Sequence, residues 1–124
     1  MPHFTVQLRE TDLDGTAEPK LIQGLADAIG QVYGEQLRSL AVVEIFGVPD
    51  GRWGVGGAPA ATPAPVVNLN LRAAALEIDG APERLITAIT DAVAAALGES
   101  VRSEVTVGLT AVPPGRSGVG GAVV

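Results

Sequence analysis

Val and Leu alternate with polar residues from His3 to Leu8 and again from Val66 to Leu71, the two-residue period of half-buried strands. After each run the apolar spacing becomes helical. Leu21, Ile22, Leu25, Ile29 and Val32 fall on one face in the first half, and Leu85, Ile86, Ile89, Val93 and Leu97 in the second. Pro19 and Pro82 sit where a first helical turn needs no N–H donor, and Gly34 and Gly98 stand where each helix should end. Leu40 to Val48 and Val105 to Val112 then read as returning strands, each followed by a glycine-rich hairpin. Each half of the chain therefore predicts strand, helix, strand, hairpin.

The two halves are also alike residue by residue. Val48-Pro49-Asp50-Gly51-Arg52-Trp53-Gly54-Val55-Gly56-Gly57-Ala58 recurs as Val112-Pro113-Pro114-Gly115-Arg116-Ser117-Gly118-Val119-Gly120-Gly121-Ala122. The same spacing, taken without a gap, lays Leu21-Ile22 on Leu85-Ile86, Asp27-Ala28 on Asp91-Ala92 and Arg38-Ser39 on Arg102-Ser103. Separated matches in one register mark an internal repeat, with copies at 1–60 and 65–124 and a Pro- and Ala-rich linker at about 58–65. The expected fold class is α/β (α+β): two fused β-α-β units forming a four-stranded sheet, with both helices on one face. A strand–helix–strand crossover makes the strands within each unit parallel. Val43, Ile45, Val107 and Leu109 read as placing apolar groups on both sides of that sheet. An apolar open face calls for a cover, and self-association in a closed ring is the economical one.

Composition narrows the function. The 124 residues suit one compact domain over 1–124, the net charge is −6, and no run of Lys or Arg suggests nucleic acid or an anionic membrane as partner. Without cysteine there is neither a disulfide framework nor a thiolate site, and the single histidine, His3, cannot build a histidine-rich metal centre. No metal and no cofactor are expected. No apolar run approaches the ~20 residues of a membrane span, and no basic segment followed by an apolar stretch opens the chain. A soluble, cytoplasmic protein is expected.

Pro2, directly behind Met1, is the residue richest in chemistry. Removal of Met1 would leave a secondary amine at the chain terminus. A free α-amino group titrates near ~7.7–8, and desolvation or a nearby cation brings it towards neutrality, where a general base works best.

Met1-Pro2 ahead of the first strand, Leu21-Ile22 and Ala28-Ile29 in the helix, and Gly51-Arg52-Trp53-Gly54-Val55-Gly56-Gly57 in the hairpin are together informative. With these residues the chain resembles the tautomerase superfamily, which includes 4-oxalocrotonate tautomerase, malonate semialdehyde decarboxylase and the 3-chloroacrylic acid dehalogenases. The resemblance covers both repeats. It implies the β-α-β fold and, for two fused copies, a homotrimer where single-copy enzymes form hexamers. It implies that the Pro2 nitrogen, freed of Met1, moves a proton between the enol and keto forms of a small 2-oxo acid. Arginines would hold the substrate carboxylate through two hydrogen bonds and take up charge on the enolate.

By the same resemblance Arg72, at the end of the third strand, is the first candidate for the carboxylate, and Arg9, at the end of the first strand, the second. Trp53 matches the hairpin aromatic that walls the site, and Tyr33 falls where a dehalogenase carries a histidine. The second copy has Ser117 in place of Trp53, and at the ungapped spacing Val66 faces Pro2, so only one unit carries the proline chemistry. Arg38 and Arg102, kept in both copies, read as structural, as do Arg52 and Arg116. Three departures narrow the chemistry. The second-strand arginine of single-copy tautomerases falls on Ala41 and Thr106, Arg72 is followed by Ala73, Ala74 and Ala75, and no Asp or Glu follows Glu104. Proton transfer on a monocarboxylate is the expected activity. The alternatives are a decarboxylase or hydratase of a 3-carbon acid using protonated Pro2, and a non-catalytic trimeric binding module.

Overall fold

A computed structural model describes all residues from Met1 to Val124. Strand β1 (His3–Arg9) runs through a short 3-10 turn into helix α1 (Ala17–Tyr33), a one-turn helix α2 (Glu35–Arg38) and strand β2 (Val42–Val48). A small hairpin follows, β3 (Gly54–Val55) with β4 (Ala58–Pro59). The second unit repeats this order with β5 (Val66–Arg72), α3 (Ala73–Leu76), α4 (Ala81–Leu97), β6 (Thr106–Val112) and the hairpin β7 (Gly118–Val119) with β8 (Ala122–Val123). Pro19 and Pro82 do lie in the first turns of their helices. Both helices end against glycines of positive φ, Gly34 at 95° and Gly98 at 109°, a non-helical conformation that residues with a Cβ rarely adopt.

The four long strands form one sheet in the order β2-β1-β5-β6. Each β-α-β unit contributes a parallel pair, and the units meet through antiparallel β1 and β5, with His3 opposite Asn70 and Gln7 opposite Val66. This central antiparallel seam relates the units by an approximate two-fold axis. Their helices lie together on one face, and α1 and α4 approach so closely at Gly24 that a Cβ there would come within 3.2 Å of the Ala92 Cβ.

Between sheet and helices lies the core: Phe4, Val6 and Leu8 from β1, Val67, Leu69 and Leu71 from β5, with Leu21, Leu25, Ile29, Leu85, Ile89 and Val93 above them. Val43, Ile45, Val107 and Leu109 pack against this same cluster. That corrects the expectation that they place apolar groups on both sides of the sheet. Because strand side chains alternate, the open face takes the intervening positions: His3, Thr5 and Gln7, Asn68 and Asn70, Glu44, with exposed Val42 and Phe46 at one edge. His3 and Glu44 are hydrogen-bonded across that face. It is a polar sheet surface with apolar residues at its margin. Alternation was hard to read in β2 because Val42 and Val43 are both apolar, so either phase looked possible.

A second correction concerns the repeat. The helices and the second strands superimpose at the spacing seen in the sequence, but β1 and β5 match one residue closer, His3 with Val66 and Arg9 with Arg72. The counterpart of Pro2 is therefore Pro65 and not Val66. The hydrogen bonds agree: Val42 N donates to Pro2 O at 2.9 Å, and Thr106 N donates to Pro65 O at 3.1 Å. The second unit accommodates the additional residue between strand and helix, where Gly80 turns the chain with φ of 76° into α4. The structural reading of Arg38 and Arg102 is matched by a duplicated contact. Arg38 Nε donates to Asp27 Oδ1 at 2.8 Å, and Arg102 Nη1 to Asp91 Oδ1 at 2.5 Å. No helix is long and apolar enough to cross a membrane.

Candidate active site

Pro2 immediately precedes β1 and is buried. Carrying the β1–β5 register one residue beyond His3 opposite Asn70 sets Pro2 across from Leu71, next to Arg72. Adjacent strands are about 5 Å apart, so the proline ring and the root of Arg72 share one end of the sheet. Arg72 is exposed, and the ion pairs of the chain engage Arg9, Arg38, Arg102 and His3 but not Arg72. Arg72 borders a cavity of about 310 Å3 with Ala73, Val112, Pro113 and Ser117, walls that are chiefly apolar. An unpaired guanidinium beside an apolar wall is suited to a carboxylate carried on a hydrocarbon body.

Arg9 occupies the related position at the opposite end. The length of β1, about 20 Å, separates it from Pro2 of the same chain. Its guanidinium is also engaged, Nη2 donating to Asp12 Oδ1 at 2.9 Å and Nε to Asp12 Oδ2 at 3.3 Å. The hydrogen bonds and charge of Asp12 stabilise the charged guanidinium and raise its pKa. The Nε–Nη2 edge, which could grip a ligand carboxylate in a fork, already holds that of Asp12. The signal for this contact was present in the acidic loop after β1, with Asp12 three residues beyond Arg9.

Trp53 lies at that same end. It borders a shallow surface with Val66, Glu104 and Thr106, residues at or beside the starts of β5 and β6, and its carbonyl accepts from Ala60 N at 2.8 Å. The hairpin residue near Arg72 is instead Ser117. Within one chain, then, Pro2 and Arg72 share one end, while Arg9, Trp53 and Pro65 share the other.

Tyr33, the last residue of α1, belongs to the Pro2 and Arg72 end by an indirect route. Its hydroxyl donates to the Ala75 carbonyl at 2.9 Å, in the turn that follows Arg72. Burial raises the phenol above its ordinary pKa, partly offset by Arg84, so the hydroxyl keeps its proton and remains a donor at neutral pH. Nothing in the sequence could identify this contact, because the partner is a backbone oxygen distant along the chain. Asp14 escaped the sequence reading as well. Its Oδ1 accepts from Thr16 N at 2.9 Å, Thr16 Oγ1 at 2.8 Å and Ala17 N at 3.0 Å, so it satisfies the start of α1. No cluster of His, Asp and Glu is disposed to hold a metal ion.

No protein-family model matches the chain, and no curated protein matches its sequence. Solved structures do match its fold. A wild-type fused 4-OT, an asymmetric trimer, shares it with a TM-score of 0.85 and 23% identity, over 98% of this chain and 94% of that one. A symmetric trimer of wild-type fused 4-OT gives 0.82 and 24% identity, with 98% and 94% covered. N1, a member of the cis-3-chloroacrylic acid dehalogenase family, gives 0.82 and 18% identity, with 98% of this chain and 82% of that chain covered. The architecture is that of the fused, two-repeat tautomerase fold.

Proposed function

We propose that this chain is a keto–enol tautomerase of a small 2-oxo monocarboxylate, with the Pro2 nitrogen as general base after Met1 is removed. The observation that carries the reading is the pairing of a buried Pro2 with an unpaired Arg72 on the neighbouring strand. Burial disfavours the charged amine and lowers its pKa from the ordinary ~7.7–8, and the Arg72 charge acts in the same direction. The neutral amine takes the enol proton while Arg72 holds the carboxylate. The resulting ammonium then returns the proton to C3, giving the 2-oxo acid.

The trimeric fused 4-OT structures that share this fold support a homotrimer for this chain. Pro65, the counterpart of Pro2, is acylated within the chain and its nitrogen has no basic lone pair. This gives three proline sites per trimer and not six. Arg9 serves Asp12 in this reading, and Trp53 can wall a Pro2 site only across a subunit boundary.

The test is conversion of enol phenylpyruvate, followed by ultraviolet absorbance, on protein whose N-terminus has been read by intact mass. Turnover should need an uncapped Pro2 and rise with pH as the amine loses its proton, with an apparent pKa below ~7.7. Equal activity from Pro2→Ala, or from protein retaining Met1, would reject the assigned base. A proline that remains charged at neutral pH would instead favour acid catalysis, as in a decarboxylase or hydratase.

A further inference from the structure

The two ends of the sheet offer an internal comparison. At one end Arg9 is followed by a turn carrying Asp12, and at the other Arg72 is followed by α3, in which Ala75 takes the place of Asp12 at the same strand-based spacing. The helix ends differ as well: Tyr33 closes α1, and Leu97 closes α4 at the matching position. Leu97 and Asp12 line one cavity, as the two-fold relation requires. One end therefore combines Leu97 with Asp12 and has a paired arginine. The other combines Tyr33 with Ala75 and leaves its arginine unpaired.

We propose that Tyr33 is a positioning residue for Arg72, its hydroxyl pinning the Ala75 carbonyl so that the turn behind Arg72 is held without a carboxylate. A single helical turn such as α3 does not sustain itself, since nucleation fixes several residues for few hydrogen bonds. At the Arg9 end Asp12 ties the arginine itself to the turn. Tyr33 replaces that tie with a neutral donor reaching in from the other unit. The guanidinium of Arg72 is thus steadied through its backbone and remains available for a ligand carboxylate. In this role Tyr33 acts on Arg72 through the Ala75 carbonyl and not on the substrate itself.

The inference rests on the reading of Arg72 as the carboxylate-holding residue, and it is tested by binding apart from turnover. The probe is 3-phenylpropionate, a carboxylate with no enolisable oxo group, titrated calorimetrically into the full chain. Tyr33→Phe should weaken its binding roughly three- to ten-fold, the range of one lost hydrogen bond. It should raise KM for phenylpyruvate similarly while leaving kcat and its pH profile unchanged. In an Arg72→Ala background the same substitution should have no further effect on binding. Ala75→Asp, which recreates the Asp12 arrangement, should capture Arg72 and weaken binding even if Tyr33→Phe folds poorly. Wild-type binding in Tyr33→Phe or Ala75→Asp, equal losses with and without Arg72, or a fall in kcat at constant KM would each overturn the proposal. So would wild-type binding that ignores Arg72. Arg72-coupled binding without phenylpyruvate turnover would refute the tautomerase reading and leave this inference standing.

Discussion

Replacing each of the two strand-end arginines by alanine should have opposite consequences, although sequence and topology make them equivalents. Arg72 has no partner in the chain, so Arg72→Ala orphans no buried group, and the fold should tolerate it. What it removes is a forked, charge-assisted grip on the substrate. Hydrogen bonds to charged groups contribute about 1.5–3 kcal/mol each, and an exposed site places the pair towards the low end, about 2 kcal/mol in all. At 1.4 kcal/mol per factor of ten this is a loss of roughly 30-fold in kcat/KM, expressed mainly in KM. Arg72→Lys keeps the charge without the planar fork and should recover only part of it. Arg9→Ala removes a contact within the protein, the bidentate pair with Asp12, and should leave KM unchanged while lowering the melting temperature slightly. The assay is initial-rate ketonisation of enol phenylpyruvate, with thermal unfolding recorded on the same samples. Equal KM defects from both substitutions, or a larger one from Arg9→Ala, would refute the division of roles.

Two further outcomes concern the fold. Hydrogen bonds from Ala17 N, and then from the Thr16 hydroxyl and N, lower the Asp14 carboxyl to a pKa of about 2 from its ordinary 3.8. Its contribution is therefore complete above pH ~4 and lost as pH falls through about 2, so an NMR titration should find this midpoint and Asp14→Asn should flatten acid unfolding in that window. Ile89 is fully buried between α4 and the sheet, and Ile89→Ala should cost about 2–5 kcal/mol in urea unfolding with an unchanged m-value.

The alternation of β1 and β5, the helical spacing of Leu21, Leu25 and Ile29, and the glycines at 34 and 98 were legible because each is a local signal. Both β-α-β units and the four-stranded sheet followed from them, and the repeat marked Arg38 and Arg102 as structural, though not their partners Asp27 and Asp91. The one-residue shift that pairs Pro2 with Pro65 was not legible, since proline and valine are equally plausible neighbours of a strand. The inward facing of Val43 and Ile45 was hidden by an apolar neighbour, for strand phase is decided by what lies across the sheet.

For the site, residue type alone set the available chemistry: a proline behind Met1, a few arginines, one tyrosine, one tryptophan, no cysteine. Three-dimensional packing decided which arginine stands at the Pro2 end, which end of the sheet Trp53 occupies and what the Tyr33 hydroxyl meets. Those outcomes depend on groups far apart in the chain and, for Ala75, on a carbonyl oxygen that every residue possesses. Periodicity reports how a segment relates to its own neighbours. The Arg9–Asp12 pair closes within one turn of chain, but only folding sets Arg72 at the Pro2 end and brings the Tyr33 hydroxyl within 3 Å of the Ala75 carbonyl, groups that no local signal relates.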